Sequence, residues 1–263
     1  MGRSRHRPAR HHYYLRRDCV STDFWNFLKE SSRITPLLLV TSPVRKRAGR
    51  FLRKDRTMLI TKPLDNFYNL KKLDRFMVGH KGFIAGGCFK NVFNNEPMKD
   101  IDIFFESNAD FLEAKKYYAD KTDNYYLYYE NKNVTAYKER SKYHNNPTIE
   151  LVQTIFGTAE EIINSFDFTI VKFAYFKEQV NDGEEIFVEY KVMHDENFFE
   201  HLQRKRLVID NQMPFPVSTF ERVLRYARYG YFPCRETKVR LIEALREVED
   251  LEGLSSSLYH GLD

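Results

Sequence analysis

The segment from Gly82 to Glu106 constrains this chain more than any other. It reads Gly-Phe-Ile-Ala-Gly-Gly-Cys-Phe-Lys-Asn-Val-Phe, then a polar Asn-Asn-Glu-Pro break, then Met-Lys-Asp-Ile-Asp-Ile-Phe-Phe-Glu. Side chains alternate along a strand, so Asp100 and Asp102 share one face and Ile101 and Ile103 the other. Two carboxylates on one strand face repel unless solvent or a cation separates them, and a hard divalent cation such as magnesium suits that oxygen pair. Gly86 and Gly87 permit a turn and let a phosphate approach the backbone N–H groups. A phosphate site beside a two-carboxylate metal site is the equipment of phosphoryl or nucleotidyl transfer. Taken singly, Gly-Gly is usually a turn and Asp-x-Asp a solvated strand edge; order, spacing and apolar flanks together are more specific.

Gly-Gly followed, some twelve residues on, by an Asp-x-Asp between apolar residues resembles the signature of the DNA polymerase beta-like nucleotidyltransferase superfamily. In that superfamily a third acidic residue sits between apolar residues on a neighbouring strand. Glu150, within Thr148-Ile-Glu-Leu-Val152, is the best-placed candidate here. A narrower likeness follows. CCA-adding enzymes and bacterial poly(A) polymerases carry Arg-Arg-Asp-Phe-Thr-Ile-Asn-Ala, a segment that helps hold the incoming nucleotide. This chain keeps Asp167-Phe168-Thr169-Ile170 but has Ser165 and Phe166 in place of the arginines and Val171 in place of the asparagine. Phe220 to Phe232 is similar to the Leu-Arg-x-x-Arg-Phe helix of the same group; the group's later Glu-Asp-x-x-Arg element is missing, because Glu249-Asp250 is followed by Leu, Glu and Gly.

The resemblance implies an α+β fold, a small mixed β-sheet nucleotidyltransferase core with a helical C-terminal part. It implies Asp100, Asp102 and Glu150 as catalytic residues and magnesium ligands. Gly86, Gly87, Lys90, Asp167, Lys172, Arg222 and Arg225 would hold the NTP, with Lys172 partly replacing the lost arginines. Pyrophosphate would leave as an acceptor hydroxyl attacks the α-phosphate. An RNA 3′ end is the favoured acceptor; a protein or small molecule is the alternative, and an inactive fold that binds RNA or protein is a different class. The compact lysine- and aromatic-rich core is similar in style to nucleotidyltransferase-like proteins of bacteriophages, which would place it in the host cytoplasm.

Charge divides the chain. Residues 1–57 carry fifteen Lys and Arg against four Asp and Glu, and the remainder 27 against 33. The basic part reads either as a nucleic-acid-binding arm, with Arg45, Lys46 and Arg47 as contacts, or as a poorly ordered extension outside the working protein, with Met58 as an alternative first residue. The expected division is therefore 1–57 extension, 58–195 core and 196–263 helical region. Arg222, Arg225 and Arg228 recur every third residue; they would grip a triphosphate or RNA, Arg228 the RNA, or would form a solvated face. No run of eighteen apolar residues exists, which argues against a membrane helix. Cys19, Cys88 and Cys234 are an odd number without a Cys-x-x-Cys pair, which suits a reducing compartment.

Periodicity supplies the remaining elements. Short helices are expected over Thr22–Glu30 and Val44–Arg56, and a longer one over Leu64–Val78. Gly82–Ala85 reads as a strand and Cys88–Phe93 as one or two helical turns. Asn108 should cap a helix to Ala119 with Phe111, Leu112 and Tyr117 or Tyr118 inward. Strands are expected over Tyr125–Glu130 and Val134–Lys138, whose tyrosines pack the sheet or, if exposed, stack on bases. Capping boxes at Thr158-x-x-Glu161 and Ser218-x-x-Glu221 should open helices. A hairpin should join 168–176 to Glu185–Val192, and helices should cover Asp195–Leu202 and Glu236–Asp250.

Overall fold

The structure is a computed structural model that describes residues 58–141, 146–181, 183, 186–210, 213 and 215–248. The expected helices at 22–30 and 44–56, together with Arg45, Lys46 and Arg47, lie outside the described residues, as does Glu249-Asp250.

Ten strands are described: β1 (Leu59–Pro63), β2 (Phe83–Ala85), β3 (Asp100–Phe105), β4 (Tyr125–Glu130), β5 (Val134–Glu139), β6 (Thr148–Phe156), β7 (Phe173–Asn181), β8 (Ile186–Asp195), β9 (Arg206–Leu207) and β10 (Phe232–Pro233). The first eight form one sheet in the order β1-β8-β7-β2-β3-β6-β5-β4. β3 and β6 run parallel, and the other neighbours in that sheet are antiparallel. The mixed α+β architecture is as expected, but the sheet is not small, because the hairpins β4–β5 and β7–β8 widen it on both sides. The helices are α1 (Cys88–Phe93), α2 (Asn108–Asp120), α3 (Ala159–Asn164), α4 (Phe198–Gln203), α5 (Pro216–Arg228) and α6 (Arg235–Arg246).

The alternation of β3 sets the two faces. Ile101, Ile103 and Phe105 enter the larger apolar cluster with Phe89 of α1, Phe111 and Tyr118 of α2, and Phe198 of α4. That cluster continues through Leu207 and Val223 to Leu241, so the C-terminal helices share it. Phe104 faces the other way, into a smaller cluster with Phe83, Ala85, Val152, Ile162 and Ile163, which α3 covers. Thr158 caps α3 in the expected capping box with Glu161.

Four local expectations are corrected. Residues 64–78 form 3-10 turns, Leu64–Asn66 and Tyr68–Phe76, not an α-helix. Their buried residues Phe67, Leu70, Leu73 and Phe76 are spaced by three, and only three residues per turn place such a set on one face. α2 is capped by Ser107, whose hydroxyl accepts from the Asp110 N–H, not by Asn108. This phase buries Phe111, Ala114 and Tyr118 and turns Leu112 to solvent. α5 starts at Pro216, so Ser218 and Glu221 lie inside the helix and make no cap; proline presets the first helical φ and has no N–H to orphan. α6 is described only to Arg246 and is capped by Cys234.

Candidate active site

β2 leads to the glycine pair. Ile84 pairs with Ile103 and Phe83 with Phe104, so the register brings the end of β2 beside Asp102. There the chain turns at Gly86 with φ of +99°, where a Cβ would stand 3.6 Å from Asp102 Oδ2 and 3.8 Å from the Phe166 ring. An L side chain rarely adopts that backbone conformation, which explains glycine at this point. The Gly86 N–H already donates to the Phe173 carbonyl at 3.0 Å, so this glycine serves the turn and not an amide–phosphate contact. Gly87 precedes α1, and a Cβ there would meet the Tyr226 hydroxyl at 3.4 Å.

The three acidic residues come together as the alternation requires. Asp102 and Glu150 are direct partners across β3 and β6, and Asp100 pairs with Thr148. Adjacent strands lie about 4.8 Å apart, so Asp102 and Glu150 are neighbours on one face, with Asp100 two residues along β3 on the same face. Burial first, then Glu150, then Asp100 push the Asp102 carboxyl up to about 8. Burial and Asp100 raise Glu150 as well, against the lowering effect of a hydrogen bond from the Tyr129 hydroxyl to Glu150 Oε1 at 2.5 Å. The Cys88 thiol is raised by burial and by Asp102 and Asp100, which leaves it inert as a nucleophile. Like charges packed this way favour a bound cation, and hard oxygen donors fit magnesium. Among the described residues no three His, Cys, Asp or Glu side chains close around one point. Asp100 and Asp102 would therefore supply two ligands and leave the remainder to substrate oxygens and water, as magnesium sites commonly do.

Three of the four cations expected on the nucleotide are engaged elsewhere. Lys90 is almost fully buried, bonds Glu96 at 3.0 Å and lies over the Tyr229 ring. Lys172 is fully buried and pairs with Asp210 at 2.7 Å. Arg222 Nε donates to Asp167 Oδ2 at 2.7 Å, while Asp167 Oδ1 accepts the Phe168 N–H. Arg225 and Arg228 are exposed on α5. Phe166, where the resembled enzymes have an arginine, packs on Phe104 with ring centroids 5.7 Å apart and lines the site beside Gly86.

Two tyrosines at the site, Tyr226 and Tyr129, are not singled out by any sequence motif. Tyr226 stands against Gly87, and burial, Asp167 and Asp102 raise its phenol despite Arg222 and Arg225. Its only signal was an aromatic on the inner side of an arginine-striped helix. Tyr129 lay hidden in a run of tyrosines.

Similarity to known proteins is consistent with this geometry. Two structures of a CCA-adding enzyme, in complex with CTP and with ATP, align with TM-scores of 0.51 at 20% and 19% identity. Each alignment covers 72% of this chain and 46% or 47% of the enzyme. The Thermotoga maritima CCA-adding enzyme complexed with tRNA aligns at 0.50 and 18% identity, over 72% of this chain and 47% of its own. At such identity the likeness is one of fold, the nucleotidyltransferase fold, and this chain spans less than half the length of those enzymes. The Gabija anti-defense 2 protein of Bacillus phage SPbetaL7 is 28% identical over 169 residues, 62% of this chain and 37% of the phage protein. The model of the Gabija anti-defense 2 family matches residues 58–205. That match takes in more than half of the chain, β3, β6 and all three carboxylates, and the chain belongs to the Gabija anti-defense 2 family.

Proposed function

We propose that this protein is a magnesium-dependent nucleotidyltransferase that moves an NMP from an NTP to an acceptor hydroxyl with release of pyrophosphate, and that it acts in the host cytoplasm against Gabija defence. The observation that carries the reading is the pairing of Asp102 with Glu150 on one open sheet face beside Gly86. A fold that only binds a partner gains nothing from placing repelling carboxylates together, since their mutual repulsion opposes folding.

Asp100 and Asp102 would hold magnesium, which supplies positive charge against the triphosphate and polarises the α-phosphate. Glu150 would accept the acceptor's proton, a role supported by its raised carboxyl and by the Tyr129 hydroxyl that binds one of its oxygens. Asp167 and Arg222 would act together as a clamp that fixes α5 against the site. Arg225 is the exposed cation for the nucleotide, and Tyr226 beside Gly87 would wall the sugar or phosphate side.

An RNA 3′ end is the acceptor favoured by the basic residues 1–57 and by the tRNA that a structural neighbour binds. A hydroxyl of a Gabija protein is the second reading, favoured by the relative's anti-defense name and by the acidic balance beyond residue 57. The test incubates the full chain with magnesium, each α-labelled NTP in turn, and either RNA or an extract containing the Gabija proteins. Label on RNA or protein that disappears with Asp102→Asn supports transfer and identifies the acceptor. No label and no pyrophosphate with either acceptor would defeat the reading.

A further inference from the structure

The hairpin β4–β5 forms the outer edge of the sheet on the side of Glu150. Tyr126 pairs with Lys138 and Leu127 with Tyr137, but Tyr129 pairs with Ala136, so Tyr128 is one residue too many on its strand. This is a β-bulge, which re-aims the side chains that follow it. Strict alternation from Tyr126 would send Tyr129 to the core face with Leu127. The bulge returns it to the catalytic face, where Ala136 presents only a methyl group and the Tyr129 hydroxyl reaches Glu150. Tyr126, Tyr128 and Tyr129 are all 37% exposed or more.

The charges of the hairpin are sorted by face. Lys138 Nζ lies 4.0 Å from the Tyr128 ring centroid, and the Arg140 guanidinium 5.3 Å from that of Tyr126. Arg140 is also anchored by its Nε, which donates to the Thr122 carbonyl. The two carboxylates, Glu130 and Glu139, turn to the opposite face and pair with Lys115 and Arg75. One face therefore presents exposed aromatic rings interleaved with cations and no acid until Glu150. A partner that combines flat rings with a regular row of negative charge matches it, and single-stranded nucleic acid is that partner. A duplex would bring phosphates but no open ring faces.

We propose that Tyr126, Tyr128, Lys138 and Arg140 form a stacking track for a single-stranded RNA end, which runs along β4 to Tyr129 and delivers its 3′-hydroxyl to Glu150. The track lies two strands from β6, about 10 Å, so the last few nucleotides span it. Its direction rests on the reading of Asp102 and Glu150 as the catalytic pair; its ability to bind RNA does not.

Binding is measured by fluorescence anisotropy with a labelled single-stranded oligoadenylate, full-length protein, EDTA and no NTP. Tyr126→Ala/Tyr128→Ala should weaken binding at least about tenfold, the loss expected for a missing base–aromatic stack. Tyr126→Phe/Tyr128→Phe should keep wild-type affinity, because the ring suffices. Lys138→Ala/Arg140→Ala should flatten the logarithmic salt dependence by about 1.4, for two lost phosphate contacts on a single strand. Asp102→Asn should bind as wild type does, so a failure of catalysis would leave this result standing. Wild-type protein that does not bind the oligonucleotide, or equal affinity in the double alanine variant, would overturn the proposal. So would a track whose loss reduces labelling of a protein acceptor while RNA binding is unchanged.

Discussion

Replacing Asp102 by asparagine should stabilise the apo protein while abolishing transfer. The physical basis is the company Asp102 keeps: burial, Glu150 and Asp100 hold its carboxyl at about 8 against an ordinary value of 3.8. Carried fully into stability above pH 8, that difference would be worth at most about 6 kcal/mol. Asp102 is only half-buried, and solvent on its open side screens the charge, so we expect roughly 2–3 kcal/mol. The sign follows from proton binding. The folded chain holds this proton more tightly than the unfolded one, so stability is full below about pH 4 and falls as pH rises towards 8. Asparagine carries no such charge, and the variant's advantage should grow from nothing near pH 4 to its full size near pH 8.5. For a domain of this size that is a rise in Tm of about 5–10 °C. Urea and thermal unfolding of both proteins in EDTA, at three pH values across this range, give the comparison. Burial also pushes His80 down to about 4, but it is common to both proteins and cancels. Magnesium with a non-hydrolysable NTP should then raise the Tm of the wild type more than that of the variant. A variant no more stable than wild type at the alkaline end, or an advantage that does not vary with pH, would refute the reasoning.

Tyr129→Phe removes the one influence that lowers Glu150, so Glu150 should protonate at higher pH and the acid limb of the pH–rate profile should move up, with activity recovering towards wild type in alkali. Gly86→Ala should destabilise the fold by about 1–3 kcal/mol, because alanine must adopt a left-handed φ at this turn, and should impair transfer, because its methyl would stand 3.6 Å from Asp102 Oδ2; urea unfolding and label transfer measure the two effects. Lys172→Ala leaves Asp210 facing an emptied buried site and should lower stability by about 3–5 kcal/mol; unchanged stability with a raised KM for NTP would instead assign Lys172 to the nucleotide.

The parts of this architecture that were legible in the sequence are the local ones. β3, α1 and the Thr158 capping box follow from residues within one or two turns of each other, and the Asp102–Glu150 pairing follows from alternation once two strands are placed side by side. The 3-10 segment is not legible in the sequence because a stripe spaced by three is close to helical spacing, and only its packing against the sheet selects the tighter turn. The bulge at Tyr128 could not be read, because in Tyr-Tyr-Leu-Tyr-Tyr every register offers an aromatic to each face; β5 makes the choice.

The cations show most clearly what a motif leaves open. Arg222 meets Asp167 from 55 residues away, and Lys172 meets Asp210 from 38. Such partners are set by the tertiary fold, so a positive charge at a familiar position does not establish a phosphate contact. Asp167 is buried and without Arg222 would lose its cation while keeping the Phe168 N–H, just as Asp210 would lose the buried ammonium of Lys172. Lys172 is fully buried, whereas the Arg222 side chain is 40% exposed; removing either cation weakens the compensation of its carboxylate, so the loss should be felt in stability before it is felt in nucleotide affinity, and more for Lys172 than for Arg222. On the hairpin the opposite holds. Lys138 and Arg140 lie over exposed rings rather than in buried ion pairs, and surface cations of this kind contribute little to folding. The two groups can thus be told apart by a single pair of measurements: variants of the first should unfold early, and variants of the second should fold normally and lose the salt dependence of RNA binding.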